Sequence, residues 1–133
     1  MATSRPFLMF TGNAQAAMDL YIDTFPDSRV VSAARYGEGG PGPAGTIQVA
    51  VFTICGREFM CSDSFVKHAF DFTPSSSIFV ECDDQAQFDR AFSALSTDGQ
   101  VLMPPANYGF SRWFGWVNDR FGVSWQLNIA ANP

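Results

Sequence analysis

Few side chains in this chain of 133 residues stand out by type and position as candidates for acid–base or nucleophilic chemistry. His68 is the single histidine and lies in "SDSFVKHAFDF", which reads as a surface loop. An imidazole titrates near pH 6.5, so His68 could act as a base only if that loop folded over a binding site. A solvated or structural histidine is the plainer reading. Three cysteines with no paired spacing argue against a disulfide framework and against a cysteine-based zinc site. Cys61 and Cys82 fall in strand-like runs with no visible cation or helix N-terminus to activate a thiol, so they read as small buried apolar groups. Asp63, closing "FMCSD", could hydrogen-bond a substrate near a rim or simply form a turn. Arg112 stands among Trp113, Phe114 and Trp116, where a guanidinium could stack on a ring or hold a carboxylate. A salt bridge at the sheet surface is the bland alternative.

Gln126 is the polar residue that the local pattern singles out. In "DRFGVSWQLN" a turn leads into a strand with Val123, Trp125, Leu127 and Ile129 on one face. Ser124, Gln126 and Asn128 lie on the other. A glutamine there offers one acceptor and two donor hydrogens to a ligand. Alternation alone is equally met by an exposed glutamine on an amphipathic strand.

The elements that must position these residues are written twice. "FLMFTGNAQAAMDLYIDTF" starts with a strand at Phe7–Thr11, then a helix with its apolar stripe at Ala14, Ala17, Met18, Tyr21, Ile22 and Phe25. Asn13 is the expected N-cap and Pro26 the stop. "SIFVECDDQAQFDRAFSAL" repeats the plan 70 residues later (Met18 falls on Phe88): a strand at Ile78–Cys82, a cap at Asp83 or Asp84, and a stripe at Phe88, Ala91, Phe92 and Leu95 ended by Gly99. Each helix is followed by three strand-like runs. In the first half these are Arg29–Tyr36, Thr46–Ile54 and Glu58–Ser62, the last two joined by the "CGRE" turn. In the second they are Gln100–Met103, Phe110–Val117 and Val123–Ile129, the last two joined by "NDRFG". Each half therefore reads βαβββ. The loop "GEGGPGPAG", Gly37–Gly45, is too rich in Gly and Pro for a regular element, and reads as a mobile flap or a long hairpin loop. Pairing Val117 with Val123 across the last turn sets Phe114 opposite Gln126, with Trp116 and Arg112 on the same face and Trp125 on the other. A one-residue slip would bring Trp113 there instead.

Composition bounds the function. The net charge is -5 with no basic run, which speaks against nucleic acid. No apolar run reaches the roughly 18 to 20 residues of a membrane span, and the N-terminus lacks the pattern of a secretory signal, so a cytoplasmic location is expected. Fourteen phenylalanines in an aromatic content of 15% supply either an aromatic core or an aromatic-lined cavity.

Three stretches, "FTGNAQAAMDLYIDTFPDSRV", "RYGEGGPGPAGT" and "FGWVNDRFGVSWQLN", resemble the vicinal oxygen chelate superfamily, which includes glyoxalase I, extradiol dioxygenases and antibiotic-resistance proteins. The likeness is closest to its PhnB-like branch, labelled 3-demethylubiquinone-9 3-methyltransferase. It implies an α+β fold in which two βαβββ modules, residues 1–66 and 74–133 of a single domain 1–133, form a curved mixed sheet around a cup with helices on the outer face. In metal enzymes of that superfamily the ligands come from the first and last strands of each module, typically with a Glu four residues after the hairpin glycine. Here Gly122 leads to Gln126, and Gly56 to Met60. The first-strand positions fall near Pro6–Phe7 and Ser76–Ser77. None of these carries a carboxylate or imidazole, so no metal and no cofactor are expected.

The resemblance turns Gln126 towards the cup and implies a ligand pocket of Gln126, Phe114, Trp116, Arg112, Met60 and Ser77. The expected function is a PhnB-like binding protein that holds a small aromatic or amphipathic molecule in a metal-free cup, as a cytoplasmic homodimer. The alternatives are a glyoxalase- or dioxygenase-like enzyme of unknown substrate that uses Gln126, Asp63 or His68, and a dimerising scaffold whose cup is filled by its own side chains. Methyl transfer is not expected: no Gly-rich strand-to-helix loop is present to hold adenosylmethionine, and the chain has no room for an added nucleotide-binding domain.

Overall fold

A computed structural model describes residues 1–131. The chain divides into two compact units, Met1–His68 and a second beginning at Ala69. Each has one helix and four strands in βαβββ order, as the sequence repeat predicts, and the fold class is α+β, as the resemblance implies.

In the first unit, β1 (Phe7–Phe10) is followed by α1 (Ala14–Thr24), β2 (Val30–Arg35), β3 (Ile47–Ile54) and β4 (Arg57–Asp63). The sheet order is β1-β4-β3-β2, with β1 parallel to β4 and the other pairs antiparallel. Period-2 alternation along β3 and β4 sends Ala50, Phe52, Ile54, Phe59 and Cys61 to a buried face. These residues and the helix stripe of Ala14, Ala17, Met18 and Tyr21 make one core. The Tyr21 and Phe59 rings both stack with Phe52, at centroid distances of 6.4 and 5.8 Å. The "CGRE" hairpin forms as expected: Ile54 pairs with Arg57, and the two turn residues Cys55 and Gly56 take φ of 52° and 80°. Positive φ at both positions marks the primed turn that matches strand twist.

The start of α1 departs from expectation. Asn13 occupies the N-cap position, but its side chain makes no capping hydrogen bond. Asp63, at the end of β4, does the capping: its Oδ1 accepts from the N–H of Gly12 and of Ala14, both at 2.9 Å. Its Oδ2 accepts from the Ile47 N–H, also at 2.9 Å. Asp63 is thus neither a turn former nor a rim group but a buried carboxylate joining β4, the helix start and β3. Gly37–Gly45 is a long hairpin loop between β2 and β3, closed by Tyr36 N–H to Thr46 O and Gly45 N–H to Tyr36 O. Gly42 is required there by packing, because a Cβ would lie 2.1 Å from the Phe65 ring.

In the second unit, β5 (Ser77–Glu81) leads to α2 (Gln85–Ser96), β6 (Gln100–Ala106), β7 (Trp113–Asn118) and β8 (Ser124–Ile129). The sheet order, β5-β8-β7-β6, repeats that of the first unit. Asp84 is the working N-cap, accepting from the Gln87 N–H at 2.8 Å, while Gln87 Oε1 accepts from the Asp83 N–H at 2.7 Å. This reciprocal pair has the logic of a capping box. After α2 the left-handed residue is Asp98, φ 58°. Gly99 is needed for close approach, since a Cβ would stand 2.2 Å from Asn118 O. β6 runs three residues past its expected end, to Ala106, through register irregularities that take in Pro104 and Pro105. β7 begins at Trp113, three residues later than expected.

One face of this sheet packs under α2. Val80, Val117, Trp125, Leu127 and Ile129 are buried there with Phe88, Ala91, Phe92 and Leu95. The parallel Phe88 and Phe92 rings reach the sheet at Gly115, where a Cβ would come within 2.5 Å of Phe92. The opposite face carries the candidate site.

Candidate functional site

The hairpin that presents Gln126 is organised by Asp119. Its Oδ1 accepts from the N–H of Phe121 at 2.8 Å and of Val123 at 3.1 Å, and its Oδ2 accepts from Trp125 Nε1 at 2.9 Å. Asp119 N–H donates to Val123 O, and Gly122 supplies a φ of 90°. One buried carboxylate thus fixes both the turn and the indole under the sheet. The resulting register is Val117 with Trp125, Trp116 with Gln126 and Phe114 with Asn128. This corrects the expected pairing of Val117 with Val123. The turn is centred on Phe121 instead of Arg120, so Gln126 lies opposite Trp116 and not Phe114. A shift of two keeps the parity of the strand, so Phe114, Trp116 and Gln126 still share one face. Trp125 is fully buried on the other.

Side chains on the face away from α2 fall into rows across β5, β8 and β7. The first row is Ser77, Ser124 and Asn118; the second Phe79, Gln126 and Trp116; the third Glu81, Asn128 and Phe114. The outer rows are tied internally. Ser124 Oγ lies 2.8 Å from Ser77 Oγ and accepts from Trp116 Nε1 at 2.8 Å, which holds the indole of the middle row in place. Asn128 Nδ2 donates to both Glu81 carboxylate oxygens at 3.2 and 3.1 Å. Asn118 Oδ1 and Asn128 Oδ1 are buried acceptors with no donor among the described residues. Beyond the third row, Phe110 and Tyr108 extend from Phe114 as an aromatic cluster, with Phe110 5.0 Å from Phe114 and edge-on to it. Both are exposed.

The middle row differs from its neighbours. The half-buried Gln126 amide makes no hydrogen bond to another described residue, and it is flanked by two aromatic side chains. Glu81 is the only ionisable residue on this face of the three strands. The arrangement offers a neutral donor and acceptor between aromatic walls.

The structure thus gathers four of the six sequence-derived pocket residues, Gln126, Trp116, Phe114 and Ser77, on one face of one sheet. Arg112 lies one residue before β7 with an exposed side chain, and its N–H donates to Ile129 O. Met60 belongs to the first unit, in β4, paired with Phe7 on β1 and Val51 on β3. The sequence reading places Asn128 on the Gln126 face without counting it in the pocket, and it misses Phe79 and Glu81. The signal was available: "SIFVE" alternates, and Phe79 falls on its polar side, 52% exposed. Of the other candidates, the His68 ring accepts from or donates to Ser64 Oγ through Nε2 at 2.9 Å, a local contact four residues apart. Cys61 is buried, and desolvation, reinforced by the nearby Asp63 carboxylate, pushes its thiol up to about 12. It is inert.

The donor set does not fit a divalent ion. The positions that the resemblance assigns to ligands hold an amide, a thioether, a hydroxyl and apolar groups. Among the described residues no three His, Cys, Asp or Glu side chains gather where they could hold a metal.

Comparison with known proteins places this architecture. Residues 2–128 match the family model described as 3-demethylubiquinone-9 3-methyltransferase. The chain belongs to this PhnB-like family. A PhnB protein from Bacillus cereus that carries the same methyltransferase description is 49% identical, with a TM-score of 0.93 over 97% of this chain and 100% of that one. Protein YjdN of Escherichia coli K12 is 26% identical over 93% of this chain and 92% of its own. A glyoxylase/bleomycin resistance protein/dioxygenase domain from Frankia sp. EAN1pec shares 13% identity and a TM-score of 0.65 over 99% of this chain and 93% of that one, a likeness of fold. The PhnB-like chain thus has the fold of the vicinal oxygen chelate superfamily.

Proposed function

We propose that this PhnB-like protein is a binding module that holds a small aromatic or amphipathic molecule, without a metal, on the α2-free face of its second sheet. The observation that carries the reading is the Gln126 amide, unpaired among the described residues and set between Phe79 and Trp116. A half-buried amide with no partner among the described residues keeps a donor and an acceptor for a ligand, and aromatic neighbours favour a flat apolar body above it. Ser77, Ser124, Phe114 and the exposed Tyr108 and Phe110 extend the same surface. Arg112, one residue before β7, is kept as a candidate contact. The protein is proposed to act in the cytoplasm as a homodimer. No helix among the described residues is long and apolar enough to cross a membrane.

Methyl transfer is not part of the proposal, although the family description names it. The links from strand to helix are Thr11–Asn13 and Cys82–Asp84, and neither is a Gly-rich loop for a nucleotide-bearing cofactor. Native mass spectrometry and metal analysis of freshly purified protein test the reading together. A retained small molecule without stoichiometric metal supports it. A stoichiometric divalent ion held by side chains would favour the glyoxalase- or dioxygenase-like enzyme.

A further inference from the structure

Resting on the binding reading above, we infer the chemical class of the ligand: an uncharged planar heterocycle with a lactam-type edge, an N–H beside a C=O. Three features of the second sheet converge on this class. The polar groups of the outer rows are engaged with one another or closed off by burial: Ser124 engages Ser77 and Trp116, Asn128 Nδ2 engages Glu81, and the oxygens Asn118 Oδ1 and Asn128 Oδ1 are buried. Gln126 is therefore the group in the middle row left to recognise a ligand. Its primary amide displays a C=O beside an N–H, and the complement of that pair is an edge with N–H and C=O side by side. Such a match gives two parallel hydrogen bonds, as when Gln or Asn reads an adenine edge.

The walls select a flat body. Phe79 and Trp116 lie on the strands that flank β8. Two strand spacings separate them by about 9.5 Å. One ring standing edge-on over Gln126 needs about 3.5 to 4 Å on either side to touch both walls. Small side-chain rotations close the difference. Trp116 is held by Ser124, so its indole N–H is not offered to the ligand, and the ring serves as a stacking surface. Charge selects neutrality. Glu81 is the only ionisable residue on this face of β5, β7 and β8, and nothing cationic stands beside it there to hold a phosphate, phosphonate or carboxylate. An anionic ligand in the middle row would meet Glu81 with no compensating charge on these three strands; Arg112 stands outside them, one residue before β7.

The test compares 2-quinolinone, which has the lactam edge, with N-methyl-2-quinolinone, which keeps the ring and carbonyl but lacks the donor. Affinities are measured by calorimetry on wild-type protein, Gln126→Leu and Gln126→Glu. The side-chain amide resonance of Gln126, assigned by its absence in the variants, is followed in the wild type. The expected result is about tenfold or more preference for 2-quinolinone in the wild type, with the Gln126 amide resonance shifting on titration. That preference should fall to near unity in Gln126→Leu. Equal binding of both compounds to the wild type overturns the lactam assignment and leaves a planar-ligand site standing. A preference that survives in both variants removes Gln126 from recognition and overturns the assignment too. If neither compound binds saturably to folded wild-type protein, the planar-ligand reading fails, and this inference fails with it.

Discussion

Asp63 Oδ1 accepts a hydrogen bond from the Ala14 N–H at 2.9 Å, so the last residue of β4 caps the first helix from 49 positions away. The same carboxylate binds the N–H groups of Gly12 and Ile47. Sequence-local capping by Asn13 is replaced by a tertiary contact, which couples helix formation to closure of the sheet.

Asp63→Ala should therefore destabilise the protein severely. Three backbone donors lose their acceptor, each costing about 1 to 3 kcal/mol, for a total of roughly 3 to 9 kcal/mol. Asn13→Ala should cost less than about 0.5 kcal/mol, because the asparagine side chain makes no cap bond. Urea denaturation of both variants checks the contrast. Equal losses would return the cap to Asn13.

The thiols make a second prediction. Cys61 is raised from an ordinary value of 9.0 to about 12, first by desolvation and then by Asp63, whereas Cys55 is exposed in the β3–β4 turn. At pH 8 a thiol reagent should label one cysteine quickly, and all three in denaturant. The linkage has a definite sign. Below pH 9 both states keep the Cys61 proton. Between pH 9 and 12 the unfolded chain releases it while the folded protein holds it, so the unfolded state binds fewer protons and stability falls as pH rises. Cys61→Ala should flatten that fall, as read from urea midpoints across the range.

The fold was legible because its signals are local. Helix stripes of period 3.6, alternating strands and the "CGRE" and "NDRFG" turns lie within a few residues of one another, and they gave the βαβββ order of both units. What escaped depends on residues distant in sequence. The Asp63 cap reaches across β4 and α1. The centre of the final turn depends on Asp119 binding both the loop amides and the Trp125 indole. Parity survived that error, so the face bearing Gln126 was readable from "VSWQLN" while its neighbours were not. Phe79 was visible in the alternation of "SIFVE", but the parallel register that sets it beside Gln126 is fixed only by the pairing of β5 with β8.

Gly115 makes packing between α2 and the sheet testable. A methyl group there would enter the Phe92 ring at 2.5 Å and approach Phe88 at 3.3 Å. Gly115→Ala should cost about 1 to 3 kcal/mol by overpacking, although alanine ordinarily suits a strand no worse than glycine. Thermal melts of Gly115→Ala and of Gly115→Ala with Phe92→Leu should show partial rescue in the double variant. A silent Gly115→Ala would mean that the helix stands further from β7.

A homodimer is expected because β2, an edge of the first sheet, is exposed along its whole length. An uncovered edge with free backbone groups invites pairing. Sedimentation at micromolar concentration should give twice the chain mass of 14.6 kDa. A single-chain mass would remove the dimer from the proposal without touching the ligand site.

Trp125 and Gln126 are adjacent, yet their substitutions should differ in kind. Trp125 is fully buried under α2, and its indole N–H is bound by Asp119 Oδ2 at 2.9 Å. Trp125→Ala removes a large core side chain and leaves a buried carboxylate oxygen short of a donor. It should cost roughly 3 to 5 kcal/mol, a large part of the about 5 to 15 kcal/mol that holds such a domain together. Gln126 donates to no described side chain and accepts from none, so Gln126→Ala should shift stability by less than about 1 kcal/mol. Its effect should appear in ligand affinity instead. Melting curves decide the orientation of β8: a damaging Gln126→Ala beside a silent Trp125→Ala would reverse the two faces and empty the proposed site of its central residue.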